Sequence, residues 1–237
     1  MNPLIAAAAV LLIVLLYGEK RESTVWKLAS KPLLSALFIA TALLQLGSLP
    51  GALEGTAGGV AQGAGEASAA AVLPLAGWIL GGLAFSWLGD VCLIFPQRKM
   101  FLSGLVSFLL GHVSYAIGFY IFGSLEIWSL AGLAAMLALG VVIFLWLRPH
   151  LGRMTGPVLA YIAVISVMVG GAVSMYLAPQ WAAAGRRAVL IGAILFFTSD
   201  IFVARNKFVS DGFINRLVGL PLYYGGQFLL ALSIGWL

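Results

Sequence analysis

The 237-residue chain predicts an all-α protein threaded repeatedly through a bilayer, and three observations carry that expectation. Its residues are 62% hydrophobic and only 9% charged, with a mean hydropathy of +1.07. A soluble fold of this size has too little interior to hide so much apolar side chain. Apolar runs of about 17–25 residues recur from end to end, each long enough to cross the hydrocarbon core as a helix. These runs lack the alternation of a barrel strand, so helices are the remaining way to satisfy the backbone in lipid.

Eight spans are expected in one transmembrane domain covering residues 1–237: about 3–17, 31–48, 72–95, 100–122, 127–147, 156–178, 186–204 and 214–236. Span 1 is short, and its charges follow it, whereas a signal peptide would carry them in front. Lys31-Pro32 opens span 2, proline in the first helical turn being the ordinary helix-start signal. Residues from about 47 to 71 are rich in Gly and Ala, hold Glu54 and Glu66, and have no Lys or Arg. They read as a flexible external loop, or in part as an N-terminal extension of span 3. Span 3 holds the single cysteine, Cys92, so no internal disulfide is possible.

The basic residues orient the spans. Eleven of the 13 Lys and Arg fall on one set of alternate loops, after spans 1, 3, 5 and 7, against Arg186 and Arg187 on the other side. The positive-inside rule then puts both termini outside and the four basic loops in the cytoplasm. The net charge of +5 and the pI near 9.6 therefore reflect membrane orientation, and no nucleic-acid partner is expected.

Two aspartates break the apolar pattern. Asp90 ends the stretch Phe85-Ser86-Trp87-Leu88-Gly89-Asp90, and Asp200 ends Leu195-Phe196-Phe197-Thr198-Ser199-Asp200. A carboxylate at the centre of a membrane helix costs about 2.5–3.5 kcal/mol on insertion scales, so a matched pair points to chemistry or transport. Each aspartate precedes a basic turn, and each turn leads to a span with a tyrosine, Tyr115 or Tyr224. Spans 3–4 and 7–8 thus form a weak repeat; four crossings apart, the two hairpins run in parallel. Both acids fall roughly 8–9 Å inside the cytoplasmic end of their helices at 1.5 Å per residue. Two carboxyl groups sharing a low-dielectric site divide into one protonated and one ionised form, which is the arrangement acid–base catalysis needs.

Other polar residues share these faces. Ser86 lies one turn before Asp90; Ser199 adjoins Asp200, with Asn206 less than two turns on. His112 and Tyr115 are three apart on span 4, and Tyr224 and Gln227 are three apart on span 8. They are expected to line a polar cleft running from the cytoplasmic side toward the bilayer centre. Lys31 reads as an interfacial anchor or as a contact to an anionic head group, while Tyr161 and Met168 on span 6 read as packing. A catalytic zinc needs about three ligands, usually His-rich, and the chain has two histidines, with His150 in a loop. No G-x-S-x-G stretch marks a serine nucleophile. No metal or cofactor is expected.

Taken in order, these residues resemble the lysoplasmalogenase (YhhN-like) family of eight-span membrane enzymes. The matching stretches are Lys31-Pro32-Leu33, Phe85 through Asp90, and Phe101-Leu102-Ser103-Gly104-Leu105 with Phe108, His112 and Tyr115. Pro157 to Tyr161 and Met168 follow, then Phe197-Thr198-Ser199-Asp200 with Asn206 and Phe208, and last Tyr223-Tyr224-Gly225-Gly226-Gln227. The chain departs from the family in the Gly/Ala-rich insert after span 2 and in a missing hydrophobic residue just before Asp200.

The resemblance implies hydrolysis of the vinyl ether of lysoplasmalogens to a fatty aldehyde and a glycerophospho-ethanolamine or -choline, without a required metal. It implies catalytic roles for Asp90 and Asp200; which is acid and which is base is not read from the sequence, and the reading adopted is Asp200 as proton donor and Asp90 as water activator. Lys31, Ser86, His112, Tyr115, Ser199, Asn206, Tyr224 and Gln227 would meet the substrate. A lysophospholipid and the bilayer are the expected partners, a bacterial inner membrane the expected location, and the oligomeric state is not read. The rival expectation is a small proton- or cation-coupled transporter using the same two aspartates.

Overall fold

A computed structural model of the chain describes residues 3–49 and 64–237. Eight α-helices follow in order: α1 (Pro3–Lys20), α2 (Thr24–Gly47), α3 (Ala64–Cys92), α4 (Arg98–Phe122), α5 (Ile127–Leu151), α6 (Thr155–Leu177), α7 (Ala183–Ala204) and α8 (Phe213–Ser233). A 3-10 turn, Gly152–Met154, joins α5 to α6, and a π turn, Arg205–Val209, extends α7. No strand occurs among the described residues. Among the described residues six stretches are long and apolar enough to cross a membrane; one of them, Ile127–Leu177, contains both α5 and α6. Of the eight helices, α8 is the one outside these stretches, because its inward face carries Asn215, Tyr223, Tyr224 and Gln227. The molecule is a multi-pass helical membrane protein.

Six helices close a ring in the order α2, α3, α4, α6, α7, α8 and back to α2. Outside it, α1 leans on α2 and α8, while α5 leans on α6. The interior is packed with Leu34, Phe38, Leu75, Ile79, Leu83, Phe119, Met168, Phe196 and Leu230. Outward faces present Val10, Ile13, Leu44, Ile121, Val141, Val142 and Leu145, the side chains suited to lipid. In this order α3 and α7 stand on opposite sides of the ring, so the two aspartate-bearing helices face one another across its interior.

The expected repeat of spans 3–4 and 7–8 is matched by similar packing. Lipid tails give helices no hydrophobic reason to associate, so close backbone approach matters more. On α4, a Cβ at Gly111 would lie 3.1 Å from the Gly82 carbonyl of α3. On α8, a Cβ at Gly226 would lie 2.8 Å from the Gly192 carbonyl of α7. Both hairpins therefore close through glycine.

The expected bounds shift at three places. The start of span 2 is the largest correction: Pro32 lies inside α2, which begins seven residues earlier in number, at Thr24. Proline removes one helical donor, but the turn before it is anchored from outside the ring. The α1 end closes with Glu22 at φ 54° and a 3.0 Å bond from Ser23 N–H to the Gly18 carbonyl, a Schellman-type reversal. Gly18 lets α2 approach, since a Cβ there would lie 2.7 Å from Trp26 Cβ. In α3, helix is already present at Ala64, in line with the reading of this segment as a helical extension; the remainder of the proposed external loop, residues 50–63, lies outside the described residues. Helix α5 runs through Pro149 to Leu151, which brings Arg148 into its last turn together with His150, expected in a loop.

Candidate active site

A cavity of about 300 Å³ opens inside the ring at the end where α1 meets α2 and α7 meets α8. That volume lies in the range of small-ligand sites, about 300–1,000 Å³. Asp90 and Asp200 both line it. Much of its wall is apolar, built from Phe101, Leu105 and Phe108 of α4, Ile143 and Leu147 of α5, Val158, Ile162 and Ile165 of α6, and Phe197 and Phe202 of α7. The other part carries charge: Glu19, Lys27, Lys31, Lys207 and Arg216. A greasy slot with a charged end fits an amphiphile.

Asp90 is buried, with 1% of its surface exposed, and three groups donate to it. Lys31 Nζ lies 3.1 Å from Oδ1, Ser35 Oγ donates to Oδ2 at 2.5 Å, and the Tyr223 hydroxyl donates to Oδ2 at 2.7 Å. Ser35 has spent its proton on Asp90, so the Tyr224 hydroxyl, 3.3 Å away, donates to Ser35. This cluster unites α2, α3 and α8. The pattern is that of a carboxylate held by a cation and charge-assisted hydrogen bonds. Oδ1 takes one bond and keeps a lone pair for a further donor.

Asp200 differs. Its side chain is 17% exposed, and one hydroxyl, that of Tyr161, donates to Oδ2 at 2.7 Å. With its proton directed at Asp200, Tyr161 accepts from His112 Nε2, 2.9 Å away; Nε2 itself lies 3.4 Å from Oδ2. His112 is fully buried, behind Tyr161 as seen from the cavity. Among the described residues nothing bonds Asp200 Oδ1. No hydrogen bond or ion pair joins the two aspartates. Phe196 stands between their clusters, its ring centroid 5.2 Å from that of Tyr223 and 4.6 Å from that of His112.

The other sequence candidates divide. Lys31, Ser199 and Asn206 line the cavity. Lys31 is corrected from interfacial anchor to buried counter-ion, because α2 starts earlier than expected and carries this residue inside the ring. Ser199 Oγ is turned to its own helix, donating to the Phe196 carbonyl at 2.7 Å. Asn206 Oδ1 accepts from Gly212 N–H at 3.1 Å and Asn215 Nδ2 at 3.2 Å, which closes the α7–α8 turn. Ser86, His112, Tyr115, Tyr224 and Gln227 do not line the cavity. Ser86 faces Gly111 of α4, and Tyr115 donates to Gln227 Oε1 at 2.7 Å, so that pair ties α4 to α8 across the ring.

Sequence reasoning missed Ser35, Tyr161 and Tyr223. Tyr161 was assigned to packing, yet it is the residue that holds Asp200. The one available signal was that Tyr161 and Tyr223 fall within stretches carrying the family resemblance.

Residues 24–234 match the model of the YhhN family. Over 165 residues the chain is 34% identical to lysoplasmalogenase TMEM86A of Bos taurus, covering 68% of this chain and 66% of that one. It is 35% identical to the Homo sapiens TMEM86A lysoplasmalogenase over 167 residues, with the same coverage. A lysoplasmalogenase of Mycobacterium tuberculosis is 29% identical over 153 residues, 62% of this chain and 55% of the other. The chain thus spans somewhat less than two-thirds of the length of these relatives. No solved structure matches it.

Proposed function

The chain belongs to the YhhN family, and from that premise we propose that it hydrolyses the vinyl ether bond of lysoplasmalogens, releasing a fatty aldehyde and a glycerophospho head group. The observation that carries this reading is the pair of carboxyl groups on one amphipathic cavity. The relatives give no support to a carrier. The cavity opens among the basic loops, so the positive-inside rule directs it to the cytoplasmic side.

Asp200 is the proton donor in this mechanism. With Oδ2 accepting from Tyr161, Oδ1 is the oxygen left for substrate, and it is through Oδ1 that Asp200 would pass a proton. It moves to the β-carbon of the vinyl ether, and the carbon bearing oxygen becomes an oxocarbenium ion. Asp90, ionised against Lys31, stabilises that cation and takes a proton from the attacking water at Oδ1. The hemiacetal collapses to an aldehyde plus the free glycerol hydroxyl, and the proton gained by Asp90 returns to Asp200 through solvent. Glycosidases handle an oxocarbenium-like transition state with two carboxyl groups in related fashion. The apolar wall takes the hydrocarbon chain and excludes bulk water, which strengthens both charge interactions.

Isotopes test the bond that breaks. Purified protein given lysoplasmenyl-ethanolamine in heavy-oxygen water should leave the head-group hydroxyl unlabelled. In deuterated water the aldehyde should gain one deuterium on the carbon next to the carbonyl. Label in the head-group hydroxyl, or an aldehyde without deuterium, would contradict attack on a protonated vinyl ether.

A further inference from the structure

We infer that Glu19, Lys27 and Arg216 form a subsite for a zwitterionic head group, one phosphodiester joined to one ammonium; the inference rests on the lysolipid reading above. Glu19 lies in the last turn of α1, Lys27 in the first turn of α2 and Arg216 in the first turn of α8, and all three line the cavity with Asp90. Glu19 Oε2 sits between two cations, 3.1 Å from Lys27 Nζ and 3.5 Å from Arg216 Nε. Arg216 also meets Asp211 at 2.8 Å, but Asp211 is 67% exposed and outside the cavity wall. As ties between helices, partly exposed ion pairs of this kind contribute little.

Four cations, Lys27, Lys31, Lys207 and Arg216, face three carboxyl groups, Glu19, Asp90 and Asp200. Lys31 is taken by Asp90, so within the cavity wall Lys27 and Arg216 share one carboxylate, that of Glu19, while Arg216 also holds Asp211 outside it. A phosphodiester entering between them takes both cations, and the carboxylate it displaces is left free for an ammonium. Lys27, Arg216 and Glu19 then each keep a partner of opposite sign. A phosphate monoester, carrying about −1.5 to −2 and no ammonium, would instead meet Glu19 as a like charge.

The spacing agrees. Lys27 and Lys31 are one turn apart on the same face of α2, about 6 Å along the axis. One marks the level of Glu19 and the other the level of Asp90. In a 1-alkenyl glycerophospholipid, five single bonds separate the vinyl ether oxygen from phosphorus, about 6 Å along an extended zigzag that advances roughly 1.25 Å per bond. A head group on Glu19, Lys27 and Arg216 therefore sets the vinyl ether beside Asp90.

Binding of saturated ethers tests the subsite without chemistry. The purified full chain in detergent is titrated with 1-alkyl glycerophosphoethanolamine, 1-alkyl glycerophosphate and 1-alkyl glycerol. The wild type should bind the zwitterion about tenfold more tightly than either other ligand. Glu19→Gln should erase the preference over the phosphate monoester; Arg216→Gln should weaken both phosphate ligands and leave the alkyl glycerol unchanged. Equal wild-type affinity for the three ethers, which needs no variant to fold, would overturn the subsite. So would a Glu19→Gln variant that shifts all three by the same factor. The expected binding order in a protein that releases no aldehyde from the alkenyl lipid would sustain the subsite and sink the hydrolase. Aldehyde release without head-group discrimination would do the reverse.

Discussion

Replacing Lys31 by Met removes the counter-ion of Asp90 while keeping side-chain length and helix propensity. At 3.1 Å and an effective dielectric near 20, the pair attracts by about 5 kcal/mol. Asp90 stays buried on α3, so losing the cation exposes its full desolvation penalty; breaking a buried pair from one side costs about 3–5 kcal/mol. Ser35 and Tyr223 still donate to Oδ2, which sets the expectation at the lower end, about 3 kcal/mol. In detergent, the midpoint of thermal unfolding should fall by on the order of 10 °C. Adding Asp90→Asn to Lys31→Met removes the stranded charge and should restore most of that loss. Both variants should be inactive, one unstable and one stable. A Lys31→Met protein as stable as wild type would refute the ion-pair reasoning, as would a double variant no more stable than the single.

Tyr161→Phe strips Asp200 of its donor and His112 of its acceptor; aldehyde release should fall about 10–100-fold with the fold retained, since positioning of a general acid is a fraction of its 10²–10⁴-fold effect. Unchanged turnover would mean that Tyr161 only packs. Tyr115→Phe should destabilise by about 1–3 kcal/mol, because Gln227 Oε1 is left buried without its donor, yet kcat and KM should stay within about twofold. A raised KM would put this pair back in the substrate cleft. Gly226→Ala presses a methyl against backbone at 2.8 Å and 3.1 Å and should cost about 1–3 kcal/mol, whereas Gly225→Ala, whose nearest neighbour is Leu195 at 3.8 Å, should be nearly neutral. Equal thermal midpoints for the two would argue against glycine-mediated closure of α7 on α8.

The helices were legible because lipid imposes length and apolarity on each span separately; no tertiary knowledge was needed. Where the bounds moved, local signals had been given too much weight. Pro32 stands inside α2 because the Glu22 reversal and the Gly18 approach fix the chain upstream of it. The two aspartates were legible for the opposite reason, as charges where lipid tolerates few. Their partners were not. Ser35, Tyr161 and Tyr223 are neutral hydroxyls, common in membrane helices, and lie 55, 39 and 133 residues from the carboxylates they serve. Tyr115 and Gln227 were rightly seen as inward polar residues, but only the packed ring reveals that they satisfy one another.

Aldehyde release from lysoplasmenyl-ethanolamine, measured on purified wild type, Asp90→Asn and Asp200→Asn, bears on the central claim most directly. The two-carboxyl account predicts steady release by the wild type and a loss of about 10²–10⁴-fold in each folded variant. Release that persists at the wild-type rate in either variant would contradict it.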